Sequence, residues 1–139
     1  MDSRGLIILT NYAELVYNIT HPKFMIPRTY ELLIRGNMSK EDLERLKNGI
    51  KIDNKELLPE EVGIIKNTKS SQLIRIQIHE GRKRILRRAL SLLDYELLDL
   101  KRVKIGSLEL GDLKEGRYRV LENDDIKKLL IPVNNITGF

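Results

Sequence analysis

LIRIQIHEGRKRILRRALSLL, residues 73–93, decides how this chain folds. Its opening alternates, so that Ile74, Ile76 and Ile78 face one way, as in a strand with one buried face. Gly81 ends that strand. From Arg82 to Leu93 the period changes to that of a helix, and Ile85, Leu86, Ala89, Leu90 and Leu93 form one apolar stripe. A strand and a helix that each carry an apolar face bury them against one another or against further layers.

The same reading extends outward in both directions. Arg28 to Arg35 alternates through Tyr30, Leu32 and Ile34 and reads as a strand. Ser39 to Asn48 reads as a helix, with Ser39 as its cap, Asp42 in its first turn, Leu43 and Leu46 on its apolar stripe and Gly49 closing it. Gly5 to Leu9 is a short apolar strand stopped by Thr10 and Asn11. Glu14 to Ile19 is a short helix, and His21 before Pro22 is a break, because a residue before proline is pushed out of helical angles. Ile50 to Ile65 is rich in turns, with a strand near Val62 to Ile65. Leu97 to Ile105 is a strand and Arg117 to Val120 a shorter one. Glu122 to Leu130 reads as a helix, with acids at its start and Lys127 and Lys128 near its end, as the helix dipole favours. The tail from Pro132 has no period. Strands do not alternate regularly with crossover helices, so the expected class is α+β with a mainly antiparallel sheet.

Composition narrows the function classes. The chain has 139 residues, enough for one domain, and 41% are hydrophobic, enough for a core. It has no cysteine, which excludes a disulfide framework, a thiolate nucleophile and a cysteine zinc site. No run approaches the roughly 20 apolar residues of a membrane span, and the N-terminus has no basic-then-apolar signal pattern. The expectation is a soluble, cytoplasmic protein with no membrane partner. His21 and His79 are not grouped with carboxylates at metal spacing, and a structural role is expected for each. No Gly-rich phosphate loop and no Gly-x-Ser-x-Gly elbow is present.

Net charge is +5, and residues 82–104 account for all of it, with eight cations against three acids. The cations are Arg82, Lys83, Arg84, Arg87, Arg88, Lys101, Arg102 and Lys104. On a helix, Arg84 neighbours both Arg87 and Arg88, and such like-charged neighbours cost about 0.2–0.5 kcal/mol per pair. Anions that visit the helix would offset that cost, and an arginine fork matches phosphate oxygens. If the strand from Leu97 packs beside the helix, both elements form one positive surface that suits a nucleic-acid backbone. A solvated basic face gives the same pattern. With aromatic residues at 5% and only Tyr95 in this segment, a stacking platform for single strands is not expected.

Several blocks taken together carry more than any one alone. They are Gly5-Leu6-Ile7-Ile8-Leu9-Thr10-Asn11, Thr20-His21-Pro22-Lys23, Arg28-Thr29-Tyr30, Glu80-Gly81-Arg82-Lys83-Arg84 with Arg87-Arg88, and Leu100 to Gly106 with Leu110-Gly111-Asp112-Leu113. In order and spacing they resemble the RsuA/RluB/RluE/RluF family of ribosomal RNA pseudouridine synthases over about residues 1–130. The resemblance implies a partial pseudouridine synthase catalytic domain at residues 1–131, built on a mainly antiparallel mixed sheet with flanking helices, with 132–139 as a C-terminal tail. It implies a reaction in which a uridine is flipped out of ribosomal RNA, its glycosidic bond is broken, the uracil turns, and C5 is joined to the ribose. It implies neither metal nor organic cofactor.

The resemblance also assigns residues. Tyr30 matches the family tyrosine that lies against the target base, and Arg87 the basic residue that pairs with the catalytic aspartate and keeps it ionised. Arg82, Lys83, Arg84, Arg88, Lys101, Arg102 and Lys104 are the candidate RNA contacts. Ser3, Arg4, Gly5 and Leu6 fill the end of the family's aspartate motif, which puts the aspartate itself immediately before Met1. Asp2 is out of register and reads as a polar terminus. The chain alone is therefore expected to be inactive, and sheet edges left by the missing portion are expected to invite self-association. The chain departs from the family at Lys83, where Asn is usual, at Ile85, where Gln is usual, at Ala89, where Met is usual, and at Tyr12-Ala13, where Asp-Gly is usual. A non-catalytic RNA-binding module using residues 82–93 and 97–105 is the alternative reading.

Overall fold

Alternation along Arg28–Arg35 forces a choice of faces, and the sheet built around that strand makes it. The computed structural model describes residues 4–21, 24, 26–79 and 83–130. In chain order the elements are β1 (Arg4–Gly5), α1 (Ala13–Thr20), β2 (Arg28–Arg35), α2 (Lys40–Asn48), β3 (Ile50–Ile52) and β4 (Lys55–Leu57). They continue with β5 (Glu61–Asn67), β6 (Ser71–Ile78), α3 (Lys83–Leu92), β7 (Leu97–Ile105), β8 (Leu108–Glu109) and α4 (Asn123–Leu130). The main sheet runs β1-β7-β2-β6-β5, with β8 beside β7, and β3 pairs with β4 as a separate hairpin. All its described pairings are antiparallel except β1 with β7.

Register then fixes the core. Tyr30 lies between Ile76 of β6 and Arg102 of β7, and Leu32 between Ile74 and Leu100. This face carries Tyr30, Leu32, Ile34, Ile74, Ile76, Ile78 and Leu100, and α3 covers it with Ile85, Leu86, Ala89, Leu90 and Leu93. A second cluster gathers Leu6, Leu15, Ile19, Ile26, Ile105, Leu108 and Leu129 where α1 and α4 meet the end of β7. The α2 cap forms as its sequence requires, with the Asp42 amide donating to the Ser39 hydroxyl at 3.1 Å. No helix among the described residues is long and apolar enough to cross a membrane.

Three expectations need correction. The N-terminal strand covers only Arg4–Gly5, not Gly5 to Leu9. Its neighbour explains this: β8 pairs with Lys104 and Ile105 on the same edge of β7, so the chain must leave that edge after Leu6. Arg117 to Val120 is not a strand; Tyr118 and Val120 are 88% and 80% exposed, and that edge of β7 is already taken by β1 and β8. The turn-rich stretch from Ile50 contains a hairpin. Its turn residues, Asp53 and Asn54, have φ of 52° and 67°, as a two-residue turn matched to strand twist demands. The tail from Pro132 lies outside the described residues.

A central role for the β2 face has a measurable consequence. Leu32 is 1% exposed between two strands and below α3. Leu32→Ala should cost about 2–5 kcal/mol in urea unfolding, whereas Leu58→Ala, at a side chain 57% exposed, should change stability by less than about 0.5 kcal/mol.

Candidate active site

Tyr30 occupies the middle of the sheet because β2 is bonded on both edges, and its face is the one beneath α3. The residue is fully buried, yet its hydroxyl has no hydrogen-bond partner among the described residues. A buried polar atom left unpaired costs about 1–3 kcal/mol, so this phenol is a place where structure is kept at a cost.

Its neighbours are cationic. Arg28, on the same face of β2, is buried, and its Nη1 and Nη2 donate to the carbonyls of Ile26 and Ile19 at 2.8 and 3.0 Å. Burial pushes its pKa below the ordinary guanidinium value, the Tyr30 side chain opposes this, and nearby Arg102 adds to the lowering. Arg102 sits opposite Tyr30 on β7. Its Nε and Nη2 both donate to the Leu6 carbonyl, at 2.9 and 2.6 Å, while the Leu6 amide donates to the Arg102 carbonyl at 2.8 Å. Neither guanidinium has a carboxylate partner among the described residues. The combination is a buried phenol in a positive field, suited to a carboxylate or another anion.

β1 is held against this corner by Gly5 and Arg4. Gly5 has φ of 121°, and a Cβ there would stand 2.3 Å from the Arg102 carbonyl oxygen, so only glycine allows the approach. Arg4 donates to both oxygens of Asp99, with contacts from 2.8 to 3.2 Å. That hydrogen bond holds the Asp99 carboxyl below its ordinary 3.8, with the charge of Arg4 acting in the same direction.

α3 carries its cations on two flanks of the buried stripe. Arg87 is half-buried beside Leu86 and Leu90 and has no hydrogen-bond or ion-pair partner among the described residues. Arg84 and Arg88 are exposed on the other flank, towards the β3–β4 hairpin, where Arg88 pairs with Asp53. Arg82 and Asp2 lie outside the described residues, as does the side chain of Lys83. Tyr30 and Arg87 thus belong to the same side of the sheet.

Two of the three strand cations, Lys101 and Lys104, do not join the helix in one surface, which corrects the sequence-based picture. Lys101 pairs opposite Glu31 and Lys104 opposite Thr29, on the face turned away from α3. The cause is a bulge: register shifts between Thr29 and Tyr30, leaving Val103 extra and returning Lys104 to the face of Lys101. That face is charge-paired. Arg75 meets Glu31 at 2.8 Å, Arg4 meets Asp99 at 2.8 Å, and Lys104 lies 3.7 Å from Glu109.

The departures from the family also find places. Ile85 and Ala89 are buried in the core, and Tyr12 is an exposed residue at the start of α1 with φ of −97°. His79 stands 3.2 Å from Glu60 just past the end of β6 that pairs with Arg28, and Glu60 Oε1 and Oε2 and His79 Nε2 are buried without hydrogen-bond partners among the described residues. No group of metal-binding side chains occurs among the described residues. Arg28 and the hairpin residues Asp53 and Lys55 were not read as functional from sequence. A basic residue opening a strand, and an Asp-Asn turn between short alternating runs, were the available signals.

A family model described as RNA pseudouridylate synthase matches residues 1–92. The chain belongs to this family. It is 34% identical over 128 residues to an uncharacterized RNA pseudouridine synthase of Aquifex aeolicus, a match covering 92% of this chain and 51% of that one. It is also 34% identical over 130 residues to ribosomal large subunit pseudouridine synthase B of Bacillus subtilis, covering 92% and 53%. A crystal structure of a pseudouridylate synthase superposes with a TM-score of 0.78 at 26% identity, covering 90% of this chain and 54% of that one. The chain spans about half the length of the curated relatives it matches. The family read from the motifs is the family found, and its mainly antiparallel mixed sheet is the sheet observed.

Two predictions follow from the geometry of this synthase-family site. Tyr30→Phe removes a hydroxyl with no partner among the described residues, so urea unfolding should show stability unchanged or raised. The second concerns acid. Asp99 titrates below its unfolded value, so its contribution is present above pH 3.8 and is lost as pH falls through the lowered folded value. Exchange of the Leu6 amide, measured relative to amides of β2, should therefore accelerate below pH 3.8, the ordinary value of Asp99, and Arg4→Ala should abolish that acid dependence.

Proposed function

We propose that this chain is the greater part of the catalytic domain of an RNA pseudouridine synthase acting on a specific uridine of ribosomal RNA. The observation that carries the proposal is the buried, unpartnered Tyr30 hydroxyl, set in a field of arginines beneath the helix that bears Arg87. Family membership supplies the reaction class. Over the whole reaction the N1–C1′ bond of the nucleoside breaks, a C5–C1′ bond forms, and the C5 proton is exchanged for one on N1. Nothing is oxidised or reduced, so no redox cofactor is required.

In this reading Tyr30 lies against the flipped base, and Arg87 pairs with the catalytic aspartate that the family motif places immediately before Met1. A guanidinium beside that carboxylate holds it ionised and oriented for attack. Arg102 anchors the segment that follows the aspartate: through Leu6 it fixes where β1 ends. Arg84 and Arg88, with Arg82 and Lys83, take the RNA backbone, while Lys101 and Lys104 reach phosphates only from the opposite face. Ribosomal RNA is the partner, and the reaction calls for no metal.

The test compares this chain with the longer protein that contains the aspartate. Pseudouridine formation on ribosomal RNA should be absent for the chain alone and present for the longer protein. Arg87→Ala in the longer protein should lower the rate by on the order of 100-fold or more, the penalty for a misplaced reacting group, with its circular dichroism unchanged. Turnover by the chain alone, or a wild-type rate for Arg87→Ala, would refute these assignments.

A further inference from the structure

The β3–β4 hairpin packs its apolar side, Ile50, Ile52 and Leu57, into the same core as α3. Its tip is thereby fixed beside the helix flank that carries Arg84 and Arg88. Between tip and helix lies a notch of about 220 Å³ lined by Ile52, Asp53, Lys55, Arg84, Ile85 and Arg88. Asp53 is its single acid, and it is spent on Arg88. Neither Lys55 nor Arg84 has an ion-pair partner among the described residues.

This arrangement is unlike the charge-paired face across the sheet. There Arg75, Arg4 and Lys104 each lie within ion-pair reach of a carboxylate, and Lys101 adds its charge beside Asp99. Here three cations line one notch with a single carboxylate, which stands on a tight turn and pairs with Arg88 of the helix. The Arg88–Asp53 pair is exposed on both sides, at 56% and 67%, so solvent screens it and a better anion can replace it. A phosphate is such an anion, because it offers an arginine two oxygens in a fork and Lys55 a third.

We propose that the notch is a seat for an RNA backbone phosphate, and that Asp53 is its internal placeholder, holding Arg88 until RNA displaces it. The hairpin then becomes an RNA-contacting element on the helix that bears Arg87, with Lys55 as its cation. This rests on the reading of the chain as an RNA-acting synthase domain. The placeholder keeps Arg88 oriented and lowers affinity for stray anions, because any ligand must first expel a carboxylate.

Binding of a ribosomal RNA fragment to the full chain, measured by fluorescence anisotropy across a salt series, tests this. Asp53→Asn should tighten binding by about 1.5–5-fold, the equilibrium equivalent of losing an exposed competing ion pair. Lys55→Ala and Arg84→Ala should each weaken binding and flatten the salt slope by about 0.7–0.9, the value for one lost phosphate contact. Melting temperature separates a structural role: an Asp53→Asn variant that melts lower and binds no tighter would make Asp53 a mere fastener for the hairpin. RNA binding indifferent to all three substitutions would overturn the notch and leave the synthase reading intact. No RNA binding by the unsubstituted chain would overturn both. Polyglutamate of equal charge competing as well as RNA would overturn the assignment to nucleic acid.

Discussion

β2 is hydrogen-bonded along both edges, to β6 and to β7, and the rest of the molecule depends on that double commitment. A strand so held cannot slip without turning every side chain to the other face. Tyr30, Leu32 and Ile34 are therefore fixed beneath α3, and Glu31 and Leu33 on the opposite side. The strand supplies the apolar face that α3 needs, and it brings a phenol and Arg28 to the middle of the sheet. The fold's strongest packing and its most conspicuous unpaired group share one strand.

β7 translates that rigidity to β1. Arg102 lies beside Tyr30 in register and grips Leu6 through backbone and side chain together. Gly5 allows the close approach, and Arg4 on Asp99 fastens the opposite face. The end of β1 is thus located relative to Tyr30 by direct bonds rather than by a loop. A nucleophile carried just ahead of this segment would inherit that position, and preorganisation of this kind is what a positioned carboxylate requires. Arg28 and Arg102 make the corner positive before any acid enters it.

Much of this was legible because the decisive signals were local and periodic. β2, the Ile74-Ile76-Ile78 alternation of β6 and the apolar stripe of α3 each carry one uninterrupted period, and α2 carries its cap in Ser39. What was missed depended on partners distant in sequence. β1 ends early because β8, about a hundred residues later, takes the same edge of β7. Plain alternation puts Lys104 on the face of Arg102, and only the bulge at Val103 reverses it. The hairpin had a local signal in Asp53-Asn54, but strands of three residues are too short for a period to stand out. For the candidate site, motifs pointed to Tyr30 and Arg87 as candidates, whereas Arg28 gains meaning only from its burial and its two carbonyl partners.

A basic helix, a buried phenol and a clamped strand end are what the proposed role, modification of a base in ribosomal RNA, draws on. The most direct check is a chemical map of pseudouridine along the ribosomal RNA of cells with and without the gene for the longer protein that joins this chain to the aspartate. The account predicts that deletion erases pseudouridine at one defined position and leaves the others intact. An unchanged map would contradict it.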